Sequence, residues 1–107
     1  MVYVKHKNFL TLKYKEYVLR IDGHAGYAPE GQDIVCSAIS ILATTLANAL
    51  SDSCAYDLKT EIDSGHVYIK CRALINDFEI STLFKFAMIG FEMLEEQYPD
   101  NISIESD

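Results

Sequence analysis

Gly23-His24-Ala25-Gly26-Tyr27-Ala28-Pro29-Glu30-Gly31-Gln32-Asp33-Ile34-Val35-Cys36-Ser37-Ala38-Ile39-Ser40 is the stretch whose reading sets the fold. It begins where a run with the period of a strand ends and finishes inside a run with the period of a helix. Between them Gly26, Pro29 and Gly31 are turn formers, so a surface loop is expected to join strand to helix. The stretch also hangs a base, His24, and a thiol, Cys36, on opposite sides of that loop. A loop carried on regular flanks suits cysteine nucleophilic chemistry.

Upstream, Leu10, Leu12 and Tyr14 alternate with Thr11, Lys13 and Lys15, and Leu19 and Ile21 alternate with Val18, Arg20 and Asp22. The pattern predicts a pair of strands with a turn near Lys15-Glu16, the first strand starting as early as Val2 and bending near Lys7-Asn8. Downstream, Asp33 stands as the N-cap of a helix over about Asp33 to Leu50. Val35, Ile39, Leu42, Leu46 and Ala49 line one face of it, and Ile34, Ala38, Ile41, Thr45 and Asn48 the next. A helix this apolar is buried deeply, or buried by its sheet on one side and by a second copy of the chain on the other.

Tyr56 to Ile62 and Val67 to Ile75 flank Asp63-Ser64-Gly65-His66 and read as a β-hairpin. Asn76 or Asp77 caps a last helix with Leu83, Phe86, Ala87, Gly90, Phe91 and Leu94 on one face and Glu92, Glu95 and Glu96 on the other, ended by Pro99. The order β-β-α-β-β-α predicts an α+β two-layer sandwich, a mainly antiparallel sheet of about four strands with both helices on one face. Without a repeat, low-complexity tract or linker, residues 1–107 are expected to form a single domain.

Half of the 107 residues are hydrophobic, enough for a core without metal or disulfide staples. Nine Lys and Arg against sixteen Asp and Glu leave a charge of -7, which repels phosphate backbones and suits either simple solubility or a basic protein partner. Direct nucleic-acid binding is not expected. Met1-Val2-Tyr3-Val4-Lys5-His6-Lys7 lacks the apolar middle of a secretion signal, and no unbroken apolar run is long enough to span a bilayer, so a cytoplasmic, membrane-free protein is expected.

Cys36, Cys54 and Cys71 have no paired spacing, and His6 and His66 have no acidic or cysteine partner at ligand spacing. Neither a disulfide framework nor a metal site is expected, and no cofactor is called for. Gly23, Gly26 and Gly31 lack the Gly-Lys-Ser/Thr ending that holds phosphate and magnesium, which excludes a nucleotide loop.

Gly23-His24-Ala25 followed by Gly31-Gln32-Asp33-Ile34-Val35-Cys36-Ser37-Ala38-Ile39-Ser40 resembles the ribosomal-processing cysteine protease family, Prp. The later half is matched more loosely, through the apolar last helix ending in Glu95-Glu96-Gln97-Tyr98-Pro99. The resemblance implies a small homodimeric α+β protease without cofactor. Its substrate would be a basic ribosomal precursor, the twenty-seventh protein of the large subunit, cut at a Phe-Phe-Ala type of sequence, or a phage structural protein. It further implies Cys36 as nucleophile, His24 as its base, and Gly23, Asp33 and Ser40 as supporting residues. Ser37 where alanine is common, the loop Tyr27-Ala28-Pro29 and the divergent N-terminal strands depart from the family pattern.

The residues themselves bear on these roles. A cysteine in an apolar helix is ordinarily a small buried hydrophobe. Cys36, however, sits in the first turn, where free amides and the helix dipole favour a thiolate and would also bind the oxyanion formed on a peptide carbonyl. His24 is able to take the thiol proton near neutral pH and return it to the leaving amine. Asp33 caps the helix, orients His24, or does both. Gly26, Tyr27, Pro29 and Gly31 are placed to contact an extended substrate, with Glu30 adding negative charge beside them. The competing reading is a non-catalytic dimeric adaptor in ribosome or phage capsid assembly, whose loop grips a peptide tail without cutting it.

Overall fold

Burial alternates residue by residue along the first strands, with Val2, Val4, Tyr17, Leu19 and Ile21 buried and Tyr3, Lys5 and Arg20 exposed. That is the two-residue period of a sheet with one covered face. The computed structural model describes residues 1–29 and 31–106. The elements run β1 (Val2–Leu10), β2 (Tyr14–Gly23), α1 (Ile34–Ser51), β3 (Tyr56–Asp63), β4 (His66–Leu74), α2 (Phe78–Gln97) and β5 (Ile102–Ser106). The sheet has five strands in the order β3-β4-β2-β1-β5, antiparallel except that β5 lies parallel to β1. The class is α+β, as the patterning predicts.

The strand count is one higher than the expected four. Ile102 and Ile104 alternate with Ser103 and Glu105, but a five-residue strand beyond a helix-ending proline carries too short a pattern to stand out. Ile102 is 1% exposed, so this short edge closes the core rather than decorating it. The first turn also lies elsewhere than at Lys15-Glu16. Lys15 and Glu16 are inside β2, opposite Leu10 and Phe9, and β1 runs unbroken past Lys7-Asn8. The chain reverses at residues 11–13, where Thr11 exchanges backbone and side-chain hydrogen bonds with Tyr14. Leu12 at the tip is 99% exposed, so the apolar alternation there mimicked a strand that the threonine hydroxyl had already ended.

Asp33 and Asp77 cap the helices, each accepting backbone amides of the following turn. Val35, Ile39, Ala43, Leu46, Ala47 and Leu50 of α1 and Ile80, Phe84, Ala87, Met88 and Phe91 of α2 are buried in one core with the sheet. Phe84 stacks between Tyr17 and His6, with ring centroids 4.7 Å and 5.4 Å away, which fixes α2 over β1 and β2. Phe86, assigned by its spacing to the inner face, is 74% exposed, and Ile34 and Ile41 of α1 are likewise outward. By length and composition α1 is apolar enough to cross a membrane although no run in it is unbroken; here its buried stripe is a wall of the core.

Candidate active site

The site is assembled around the Asp33 carboxylate, the buried charged side chain among the described residues. Its Oδ1 accepts the amides of Val35 and Cys36, each at 3.0 Å, and its Oδ2 accepts the amide of Tyr27 at 3.0 Å. One side chain therefore closes the helix N-terminus and ties the glycine-rich loop to it. Burial alone would raise the Asp33 pKa, but hydrogen bonds from the Cys36, Tyr27 and Ala28 amides and from the Cys36 side chain prevail and lower it. Asp33 stays a carboxylate near neutral pH. Both of its oxygens are turned to backbone amides, so its observed work is capping and loop anchoring.

These bonds correct the expectation for the Val35 and Cys36 amides, which do not stand free for an oxyanion. Val35 and Cys36 donate to Asp33 Oδ1, and Ser37 donates to the Asp33 carbonyl at 3.1 Å. The donor facing the sulfur comes from the other side of the loop, where the Ala25 amide points to Cys36 Sγ at 3.3 Å. Cys36 is half-buried at this junction. Cys71 is buried and its thiol pushed up to about 12 by desolvation, with Glu16 adding to the effect, while Cys54 is exposed on the loop after α1. Their surroundings separate the cysteines as their sequence contexts did.

His24 follows Gly23, whose φ of +106° is open to glycine and whose added Cβ would collide with the Met1 carbonyl. The His24 carbonyl accepts from the Met1 amino nitrogen at 2.7 Å, and its ring lies against Gly65 in the β3–β4 turn. Gly23 N donates to Gly65 O at 2.9 Å, so the turn is bolted to the end of β2. Among the described residues His24 and Cys36 share no hydrogen bond; both line one cleft, and the Ala25 amide that follows His24 points to Cys36 Sγ.

A cleft of about 670 Å³ opens over these groups, lined by Gly23, His24, Gly26, Gly31, Asp33, Cys36, Ser37 and Ser40 on one side and by Asp63, Ser64, Gly65 and His66 on the other. Ser40 lies one helical turn beyond Cys36 on the same wall. Tyr27 instead packs edge-on against Tyr98 at 5.3 Å, and neither it nor Pro29 lines the cleft. Glu30 lies outside the described residues.

Sequence reasoning set His66 aside for want of acidic partners, and the fold supplies them. His66 Nδ1 lies 2.8 Å from Asp22 and Nε2 lies 3.5 Å from Glu61. The hydrogen bond to Asp22 raises its pKa, against a smaller lowering by burial. No spacing reveals this pair, since 44 residues separate its members and only the β2–β4 register joins them. Asn101, which donates to the Ala25 carbonyl at 2.9 Å, was equally invisible.

A histidine and a half-buried cysteine thus face one cleft across a capped helix N-terminus, and the family model described as cysteine protease Prp matches residues 1–103. The chain belongs to the Prp family of cysteine proteases. It is 28% identical over 86 residues to a ribosomal processing cysteine protease Prp of Staphylococcus aureus, covering 78% of this chain and 80% of that protein. The crystal structure of the S. aureus Prp with a covalently linked product peptide has a TM-score of 0.84 at 24% identity over the full length of both chains, which shows the shared fold. A protein from Streptococcus mutans superposes with a TM-score of 0.71 at 26% identity, covering 99% of this chain and 93% of that one. Among Prp proteases, then, this chain is a cysteine peptidase with a five-stranded sheet and two helices.

Proposed function

We propose that Cys36 and His24 form the catalytic dyad of an endopeptidase that removes the N-terminal extension of a basic ribosomal precursor protein. The observation that carries this reading is the position of Cys36 Sγ, in the first turn of α1 and 3.3 Å from the Ala25 amide, in the same cleft as His24. His24 takes the thiol proton, the thiolate adds to the peptide carbonyl carbon, and the carbonyl electron pair moves to oxygen. The pair returns, the C–N bond breaks, and the His24 imidazolium protonates the departing amine. Water then attacks the thioester with its proton passing to His24, and the C–S bond breaks to release the acid and restore the thiolate.

The substrate class is supported by the S. aureus relative, named a ribosomal processing protease, and by its structure with a substrate peptide. The charge of -7 favours encounter with a basic protein. A homodimer is supported by the apolar groove that Ile41, Leu42, Leu46, Leu83, Phe86 and Ala87 leave between α1 and α2, where Ile41 is 63% and Phe86 74% exposed. The cytoplasm, where such a substrate is made, is the proposed compartment.

The test is incubation with the precursor followed by intact-mass measurement. Cleavage at a single bond, slowed as salt rises, is the expected outcome. A precursor left intact at low and moderate salt by protein with reduced Cys36 would refute the substrate.

A further inference from the structure

Ala25 is 2% exposed, and the carbonyls of His24 and Ala25 are both hydrogen-bonded. The His24 carbonyl accepts from the Met1 amino nitrogen at 2.7 Å, and the Ala25 carbonyl accepts from Asn101 Nδ2 at 2.9 Å. Asn101 is itself fixed, because its backbone carbonyl accepts from Val2 N at 2.9 Å and its amide donates to Tyr98 O at 2.9 Å. Tyr98 in turn packs edge-on against Tyr27 of the loop. The short segment between α2 and β5 therefore grips the loop through the Ala25 carbonyl and the Tyr27 ring. The amide left pointing forward is that of Ala25, aimed at the sulfur.

We infer that the Ala25 N–H is the catalytic donor that steadies first the Cys36 thiolate and then the substrate oxyanion, and that Asn101 is the positioning residue that holds it. The inference rests on Cys36 being the nucleophile. The usual source of such donors, the helix start, is largely engaged: the amides of Val35, Cys36 and Ser37 all end on Asp33. A donor 3.3 Å from the sulfur is within reach of the oxygen of a carbonyl that the sulfur attacks from that side. Preorganisation is what makes such a donor effective, since a dipole already fixed need not reorient as charge develops. In the His24–Ala25 peptide group the Met1 nitrogen polarises the carbonyl while the N–H faces the anion, so the contacts reinforce each other. Asn101 holds the next peptide group, Ala25–Gly26, through its carbonyl, and so restrains the Ala25 backbone rotation that would carry the N–H away from the sulfur.

The experiment uses the full chain and a labelled peptide carrying Phe-Phe-Ala. An amide-to-ester replacement at Ala25, made by semisynthesis, removes the N–H and changes no side chain. Its kcat is expected to fall about 10²- to 10³-fold, the usual loss for one oxyanion donor, with KM nearly unchanged. Asn101→Ala is expected to lower kcat by about 10-fold or more at constant KM. In both variants the pH profile of Cys36 alkylation moves to higher pH, because the thiolate has lost a fixed donor. A merely structural role for Asn101 would lower the melting temperature and leave that profile in place.

Wild-type kcat in the ester variant overturns the proposal, whatever Asn101→Ala does. A slow ester variant beside a folded Asn101→Ala protein of wild-type kcat removes Asn101 from it. Turnover by Cys36→Ala would instead overturn the nucleophile assignment, which distinguishes that failure from these.

Discussion

The ring of His24 rests on Gly65: its Nε2 lies 2.7 Å from where a Cβ on Gly65 would stand, and Cε1 lies 2.9 Å from the same point. A glycine in the β3–β4 turn is therefore the seat of the proposed base, 41 positions away in the chain by the difference of the two residue numbers. Gly65→Ala should displace the imidazole, and its φ of +75° adds backbone strain of about 1–2 kcal/mol. Catalytic efficiency is expected to fall by about 10-fold or more (~1.4 kcal/mol of transition-state binding), and the loss should persist at temperatures where the variant is fully folded. Steady-state kinetics beside a melting curve decide it; full activity in a folded Gly65→Ala protein would show that His24 does not need this seat.

Alkylation should sort the cysteines by environment. Cys36 is expected to label first near neutral pH, Cys54 more slowly because it is exposed but lies outside the cleft, and Cys71 last, being buried and pushed up to about 12. Cys36→Ala should retain the fold and lose turnover. Peptide mapping after brief iodoacetamide treatment reads the order, and equal slow labelling of all the cysteines would argue for a binding protein rather than an enzyme.

Asp33 links stability to acid. Its folded pKa is lowered, so its contribution is present above the unfolded carboxyl value and is lost as pH falls through the folded one. Asp33→Ala should cost about 1–2 kcal/mol at neutral pH through loss of the cap, with Tyr27 freed as well. Asp33→Asn should show a flatter acid limb than wild type. Denaturant midpoints measured from neutral to acidic pH test both, and an unchanged limb in Asp33→Asn would mean that other carboxylates govern acid unfolding.

His66 runs in the opposite sense. Its folded pKa is raised by Asp22, so the stabilisation is complete below the unfolded histidine value and disappears as pH rises through the folded one. His66 is about one-third exposed, so the effect is modest. Melting temperature is expected to decline more between mildly acidic and mildly alkaline pH in wild type than in Asp22→Asn, and parallel curves for the two proteins would dismiss the pair as a contributor.

The chemistry-bearing stretch was legible because its signals are local. A capping aspartate, a cysteine in the next turn, and glycines before it act over a few residues, and Asp33 and Cys36 stand where that local logic puts them. The hairpin about Ser64-Gly65 and the α2 cap at Asp77 were readable for the same reason. The β1–β2 turn was misplaced where an exposed Leu12 imitated the alternation of a strand, and β5 went unread because its few residues cannot establish a period.

By itself the sequence determined the class of the fold, the family, and the placing of a histidine and a cysteine on either side of one loop, since each depends on residue types at short separations. Only the tertiary structure decided what surrounds them. It brought Gly65 under His24, set His66 between Asp22 and Glu61, and carried Asn101 across 76 residues to the Ala25 carbonyl. It also tied the Val35 and Cys36 amides to Asp33 and set the Ala25 amide facing the sulfur. Those relations come from strand register and from a parallel edge strand pairing with β1, and register is set by the packing of a whole buried face rather than by any residue's neighbours in the chain.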